Sequence, residues 1–177
     1  MIPMSRFVET LGVVIILGWH LHAEPASGQT RFVDKAQLND SGDGLTWQTA
    51  HRHLQTALAA ATSGDQIWIR EGVYYPTDGL PPQAQPESAS FPMKVGVAIY
   101  GGFSGSEQSI DQRPENTLTG PTILSGDIDQ DDINTDGNFI SESTDQHRGI
   151  NSNRVITGAD ALLDRLTVTG GSALIAG

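Results

Sequence analysis

Apolar and polar positions change rhythm twice along this chain. Trp47, Ala50, Leu54, Ala57, Leu58 and Ala61 recur at helical spacing. They predict one amphipathic helix from Trp47 to about Thr62, about 24 Å long. Thr46 stands where an N-cap is expected, and Ser63-Gly64 ends the helix because glycine takes the left-handed conformation at no steric cost. The rhythm then shortens to two. Ile67 and Ile69 share one face, and Gln66, Trp68 and Arg70 share the other, as in a half-buried strand. Glu71-Gly72 supplies a turn, and Val73-Tyr74-Tyr75 resumes extended structure before Pro76. Val95, Val97 and Ile99 alternate again, and Gly101-Gly102 suits a sharp corner.

Between these runs lie turn and loop signals. Asn39 to Gly44 (Asn-Asp-Ser-Gly-Asp-Gly) reads as a turn cluster. Pro76, Pro81, Pro82, Pro86 and Pro92 mark a surface loop. Three later segments share an aliphatic or β-branched pair, then Ser or Thr, then Gly: Ile123-Leu124-Ser125-Gly126, Val155-Ile156-Thr157-Gly158 and Thr167-Val168-Thr169-Gly170. Their irregular spacing makes a weak repeat. Leu163, Leu166 and Val168 are the expected inward set of the last strands.

A helix followed by Ser63-Gly64-Asp65-Gln66-Ile67-Trp68-Ile69-Arg70-Glu71-Gly72-Val73-Tyr74 resembles the entry to right-handed parallel β-helices of the pectin-lyase-like class. The resemblance continues through Val97–Phe103, Thr122–Asp127 and Leu163–Gly171. Together these segments look like the N-terminal part of large bacterial secreted or outer-surface β-helix proteins, including polymorphic outer membrane proteins. The resemblance implies an all-β fold, a right-handed parallel β-helix (solenoid) with an N-terminal capping α-helix. The helix would cover the unpaired backbone and apolar interior of the first coil. The implied organisation is a signal peptide at 1–28, a strand and capping helix at 29–62, and the first coils of the β-helix at 63–177. Those coils look incomplete at the C-terminus, which leaves an uncapped end able to pair with a partner. Gly170-Gly171-Ser172-Ala173-Leu174-Ile175 approximates the Gly-Gly repeat of the polymorphic proteins once, with an extra residue.

Composition narrows the function. The 177 residues carry a formal charge of −11 and no cysteine. The charge argues against nucleic acid and anionic membranes as partners, and the missing thiols exclude disulfides and thiolate metal sites. Arg6 precedes the apolar run Leu11–Trp19, which is short for a bilayer span of about 20 residues. Small residues follow, as in a secretory signal peptide, with cleavage before Gln29 or, less well matched, after Ala23. An uncleaved anchor is the alternative. With cleavage, the mature chain has no transmembrane helix and is exported to the extracellular space or the outer membrane surface.

The densest chemical signal is the run from Asp127 to Asn138. Asp127, Asp129, Asp132, Asn134 and Asp136 are candidate calcium ligands, because calcium takes six to eight oxygen donors and alternate Asp and Asn before a Gly make such a loop. The register from Asp132 places Gly137 at the turn but ends on Ser143 instead of a bidentate acid. The alternative is a solvated acidic loop. Asp127 and Asp129 could also serve as a glycosidase pair, which needs two carboxyls about 5 to 10 Å apart. Asp111, Arg113, Asp164 and Arg165 lie near corners and match no active-site motif of the class. His51 and His53 form a poor metal pair on a helix and read as solvated.

Three functions remain. The first is a non-enzymatic surface protein in adhesion or carbohydrate contact, with polysaccharide or cell-surface glycan as partner. The second is a polysaccharide lyase or glycoside hydrolase. The third is a structural module ordered by calcium.

Overall fold

Short strands, one α-helix and two 3-10 turns (Ile110–Gln112 and Thr144–Gln146) make up the computed structural model, which describes residues 28–81, 87–115, 120–158 and 160–172. In chain order the strands and the helix are β1 (Thr30–Val33), α1 (Leu54–Ala60), β2 (Gln66–Arg70), β3 (Gly72–Tyr74), β4 (Phe91–Pro92), β5 (Ala98–Phe103), β6 (Thr122–Ser125), β7 (Ile156–Thr157), β8 (Leu162–Asp164) and β9 (Leu166–Thr169). All pairings between the strands are parallel. They build three sheets, ordered β1-β2-β5-β8, β3-β6-β9 and β4-β7.

This arrangement corrects the expected all-β solenoid. The described residues form a small α/β fold of parallel sheets with one α-helix, and no closed solenoid is present among them. β2, β3, β5, β6 and β9 lie close to where the sequence placed them, whereas β4 falls at the end of the expected loop with Phe91 fully buried, and Val95, expected to alternate in a strand, is an exposed turn residue. Alternation reports which face of a strand is buried. It carries no information on whether successive sheets close on one another.

The helix departs from its expectation as well. It starts at Leu54, not Trp47, and its N-cap position is His53. Two stronger interactions claim the residues before it. Trp47 enters an aromatic cluster on the outer face of the first sheet and donates its indole N–H to the Glu107 carbonyl at 2.8 Å. His51 bridges to Val33 at the edge of β1. No side chain caps the helix as Thr46 was expected to; Asp40, from the turn cluster, instead fastens the residues that lead into it. Its carboxylate accepts from the backbone N–H of Arg52 and His53 and from the Thr56 hydroxyl.

Two cores flank the first sheet. On one face Ile67, Ile69 and Ile99 pack with Val33, Leu54, Leu58, Tyr74, Phe91 and Leu124. Helix α1 contacts β1, β2 and β4 here, and its Leu54, Ala57 and Leu58 side chains belong to this core. On the other face Trp68 stacks on Phe103, with centroids 4.7 Å apart, Phe32 packs edgewise against Trp68 and Trp47, and Trp47 lies tilted against Phe103. The strand read as half-buried is therefore covered on both faces. Of the expected inward set at the far end, Leu166 packs against the main core. Leu163 and Val168 are 41% and 47% exposed, because they lie on the last strands of their sheets.

Residues 1–27 of the expected leader lie outside the described residues, as do Pro82, Pro86 and Ala173 to Ile175 of the motifs above. Within the described residues no helix is long and apolar enough to cross a membrane.

Candidate functional site

Strand β6 delivers the acidic run to the surface. Its four residues are buried, and the chain leaves it at Gly126 to form an antiparallel bridge between Asp127 and Asn151. The loop from 128 to 150 is thereby held at both ends. Within it the Asp127 carboxylate accepts from the backbone N–H of Asp131 at 3.1 Å and of Asp132 at 3.2 Å. This local turn draws Asp127, Asp131 and Asp132 together, each offering an oxygen within 4.8 Å of the others.

Asp132 is the hub. It accepts from the Arg148 N–H at 2.6 Å, the Ser141 hydroxyl at 3.1 Å and the Asn151 amide nitrogen at 3.0 Å. The Asn151 side-chain oxygen has no partner, although the residue is only 7% exposed. Buried polar atoms are nearly always satisfied, so an orphan beside three carboxylates is informative. Burial pushes the Asp127 carboxyl above its usual range, against the two N–H donors, and repulsion from Asp132 and Asp129 adds to the shift. Asp131 is raised by lost hydration and then by Asp129. The Tyr75 phenol beside the cluster is pushed up to about 12 by burial first and then by Asp127 and Asp78.

The other predicted ligands serve the loop itself. Asp129 accepts from the Ile150 N–H at 3.0 Å. Asn134 accepts from the Phe139 N–H at 3.1 Å, and Asp136 holds the Asn138 side-chain amide at 2.8 Å. The calcium-loop register from Asp132 is therefore not the geometry of the loop, since Asn134 and Asp136 cap their own turns. Asp131 was within reach of sequence reasoning, since it lies in the same run and meets Asp127 through an i, i+4 turn. Asn151 was not, because a partner 19 residues from Asp132 leaves no local trace.

Two hollows border this loop. A cavity of about 170 Å³ is lined by Tyr75, Ser125, Asp127, Asp132, Asn134 and Phe139. A broader groove of about 890 Å³ runs over the β3-β6-β9 sheet, with Glu71, Val73, Asp136, Asn138, Phe139 and Arg165 among its walls. Phe139 belongs to both. It is 54% exposed and holds φ at +59°, a conformation a bulky side chain rarely adopts. Backbone strain of this kind concentrates at functional sites.

Arg113, Asp164 and Arg165 have structural roles, and Asp111 lies exposed in the 3-10 turn Ile110–Gln112. Arg113 is buried, pairs with Asp164 at 3.0 Å and donates to the Gly101 carbonyl. Arg165 donates to the Pro114 carbonyl at 2.8 Å. The histidines are not solvated: His53 pairs with Asp40 at 2.7 Å, and His51 is buried.

No family model matches the chain, and neither the curated proteins nor the solved structures give a significant match.

Proposed function

We propose that this is an exported, non-enzymatic surface protein that contacts polysaccharide or cell-surface glycan along the groove over β3-β6-β9. The observation that carries this reading is Phe139, an exposed aromatic held at positive φ on the groove rim. A sugar ring presents an apolar face that stacks on an aromatic and a ring of hydroxyls that need polar partners. Glu71, Asp136, Asn138 and Arg165 supply those partners around Phe139.

Calcium supports the same surface. Three carboxylates with an unpartnered amide oxygen nearby form an all-oxygen donor set, which suits a hard cation. Asp127, Asp131 and Asp132 would hold the ion, and Asn151 would complete the set by turning its amide. The raised Asp127 and Asp131 carboxyls are consistent with this, because crowded acids repel until a cation neutralises them. A cation there would brace the loop that carries Phe139. Self-pairing at the outer edges of β8 and β9 is part of the same reading.

The test is binding of the purified chain to a panel of neutral and acidic glycans, with Phe139→Ala as the key variant. Retention of one glycan class, weakened at least tenfold by Phe139→Ala, is expected. No binding, or binding that Phe139→Ala leaves intact, removes the groove from consideration. Release of shortened products, lost in Asp127→Asn or Asp129→Asn, would replace this reading with a lyase or hydrolase.

A further inference from the structure

The outer edge of β1 is covered by the segment 34–53. Phe32 donates its backbone N–H to Gly44 and accepts from His51, and Asp34 donates to the His51 carbonyl. Covering an edge strand in this way removes a template for pairing with other chains. His51 is therefore a main-chain fastener of the cover, and its side chain is the anomaly. The residue is 6% exposed, yet neither ring nitrogen has a hydrogen-bond partner. A neutral imidazole carries one donor and one acceptor, and both are buried without a partner. The backbone of Gly44 closes over the ring so tightly that a Cβ at this position would collide with Nε2, and its φ of +71° also favours glycine.

We propose that His51 makes the segment 34–53 an acid-released strap over the edge of β1. An imidazolium would bring two N–H donors and a charge into a site that holds no acceptor for either. The charged groups around it are already engaged. Asp40 binds Arg52, His53 and Thr56, and Asp43 binds Thr49 and Leu45. Asp34 pairs with Arg70. Arg31 of β1 pairs with Asp65, and its cation opposes a second positive charge. The proton is accepted only when the strap lifts. Burial, ahead of any charge, holds the closed imidazole below its ordinary value of 6.5, with Arg31 adding to this and Asp40 and Asp43 opposing it.

The sign follows from linkage. The open strap binds a proton that the closed strap refuses, so closure is complete above pH 6.5 and weakens as pH falls below it. Opening exposes Trp47 and bares the β1 edge for strand pairing. Acidification would thus turn a covered edge into an associating one.

The experiment is hydrogen exchange of the segment 34–53 in the full chain at pH 7.5 and 5.5, corrected for intrinsic exchange rates. The strap-opening equilibrium should rise about tenfold at the lower pH. The rise should vanish in His51→Gln and persist in His53→Gln. An unchanged equilibrium in the native chain overturns the proposal, as does a rise that survives His51→Gln. Should that variant not fold, the ring nitrogens of His51 in the native chain decide. A ring that stays neutral in the closed form while opening accelerates supports the strap. One that titrates near 6.5 without opening overturns it.

Discussion

Several carboxylates in this protein are worth more than their charge, and Glu107 illustrates the reason. It is buried, which by itself raises its carboxyl. The Ser104 hydroxyl and the backbone N–H groups of Ser104, Gly105 and Ser106 all donate to it and reverse the shift, leaving it below its ordinary value of 4.5. A lowered folded value means that its stabilisation is present above pH 4.5 and is lost as pH falls through the folded value. Urea denaturation from pH 6 to 3 should therefore show a shallower acid slope in Glu107→Gln than in the native chain. Asp132 gathers three elements of its loop through Arg148, Ser141 and Asn151. Removing it in Asp132→Ala leaves those donors unpaired and should cost about 2 kcal/mol, read from the shift in urea midpoint. Asp132→Asn keeps one acceptor and should cost less. The acidic character of this run was visible in the sequence. The choice of Asp132 as hub was not, because its partners Ser141 and Asn151 are distant along the chain.

At the scale of elements, helix α1 shows how tertiary contacts outrank periodicity. The stripe from Trp47 to Ala61 is real, and Ala50, Leu54, Ala57, Leu58 and Ala61 are all buried. The first turns of the expected helix unwind because Trp47 and His51 gain more from the sheet than from helical hydrogen bonds, which are marginal in a short isolated segment. The surviving seven residues are stabilised by packing against β1, β2 and β4 and by the Asp40 carboxylate at their start. Leu54→Ala, at a fully buried position, should lower stability by about 3 kcal/mol in chemical denaturation. Asp40→Ala should cost about 1 kcal/mol, because the Arg52 and His53 N–H groups and the Thr56 hydroxyl lose their acceptor. The proposed calcium would act on the other long element, the loop from 127 to 151. Millimolar calcium should raise the melting temperature, because a ligand that binds only the folded state stabilises it. Asp127→Asn/Asp132→Asn should abolish the rise, and an unchanged melt in the native chain would count against the cation.

At the scale of the molecule, the two ends of the sheets are treated differently. The β1 edge lies under the strap, whereas among the described residues no strand pairs the outer edges of β8 and β9. Leu162, Leu163 and Val168 are exposed on these last strands. Such an edge invites association, and a lysine on it discourages pairing. Leu162→Lys/Val168→Lys should shift the sedimentation profile toward smaller species at high concentration. An unchanged profile would show that these edges do not associate.

By itself the sequence determined that β2, β3, β5 and β6 are extended and that Ile67, Ile69 and Ile99 point into a core, since these follow from side-chain size and backbone preference over a few residues. It also excluded thiol chemistry and identified the acidic run. The tertiary structure decided the rest. It paired the strands into three parallel sheets, drew the helix into the core, brought Asn151 to Asp132 and sealed His51 beneath Gly44. Each of these depends on contacts between residues far apart in the chain. Hydrophobic burial and hydrogen bonding select such contacts only once the whole chain has packed.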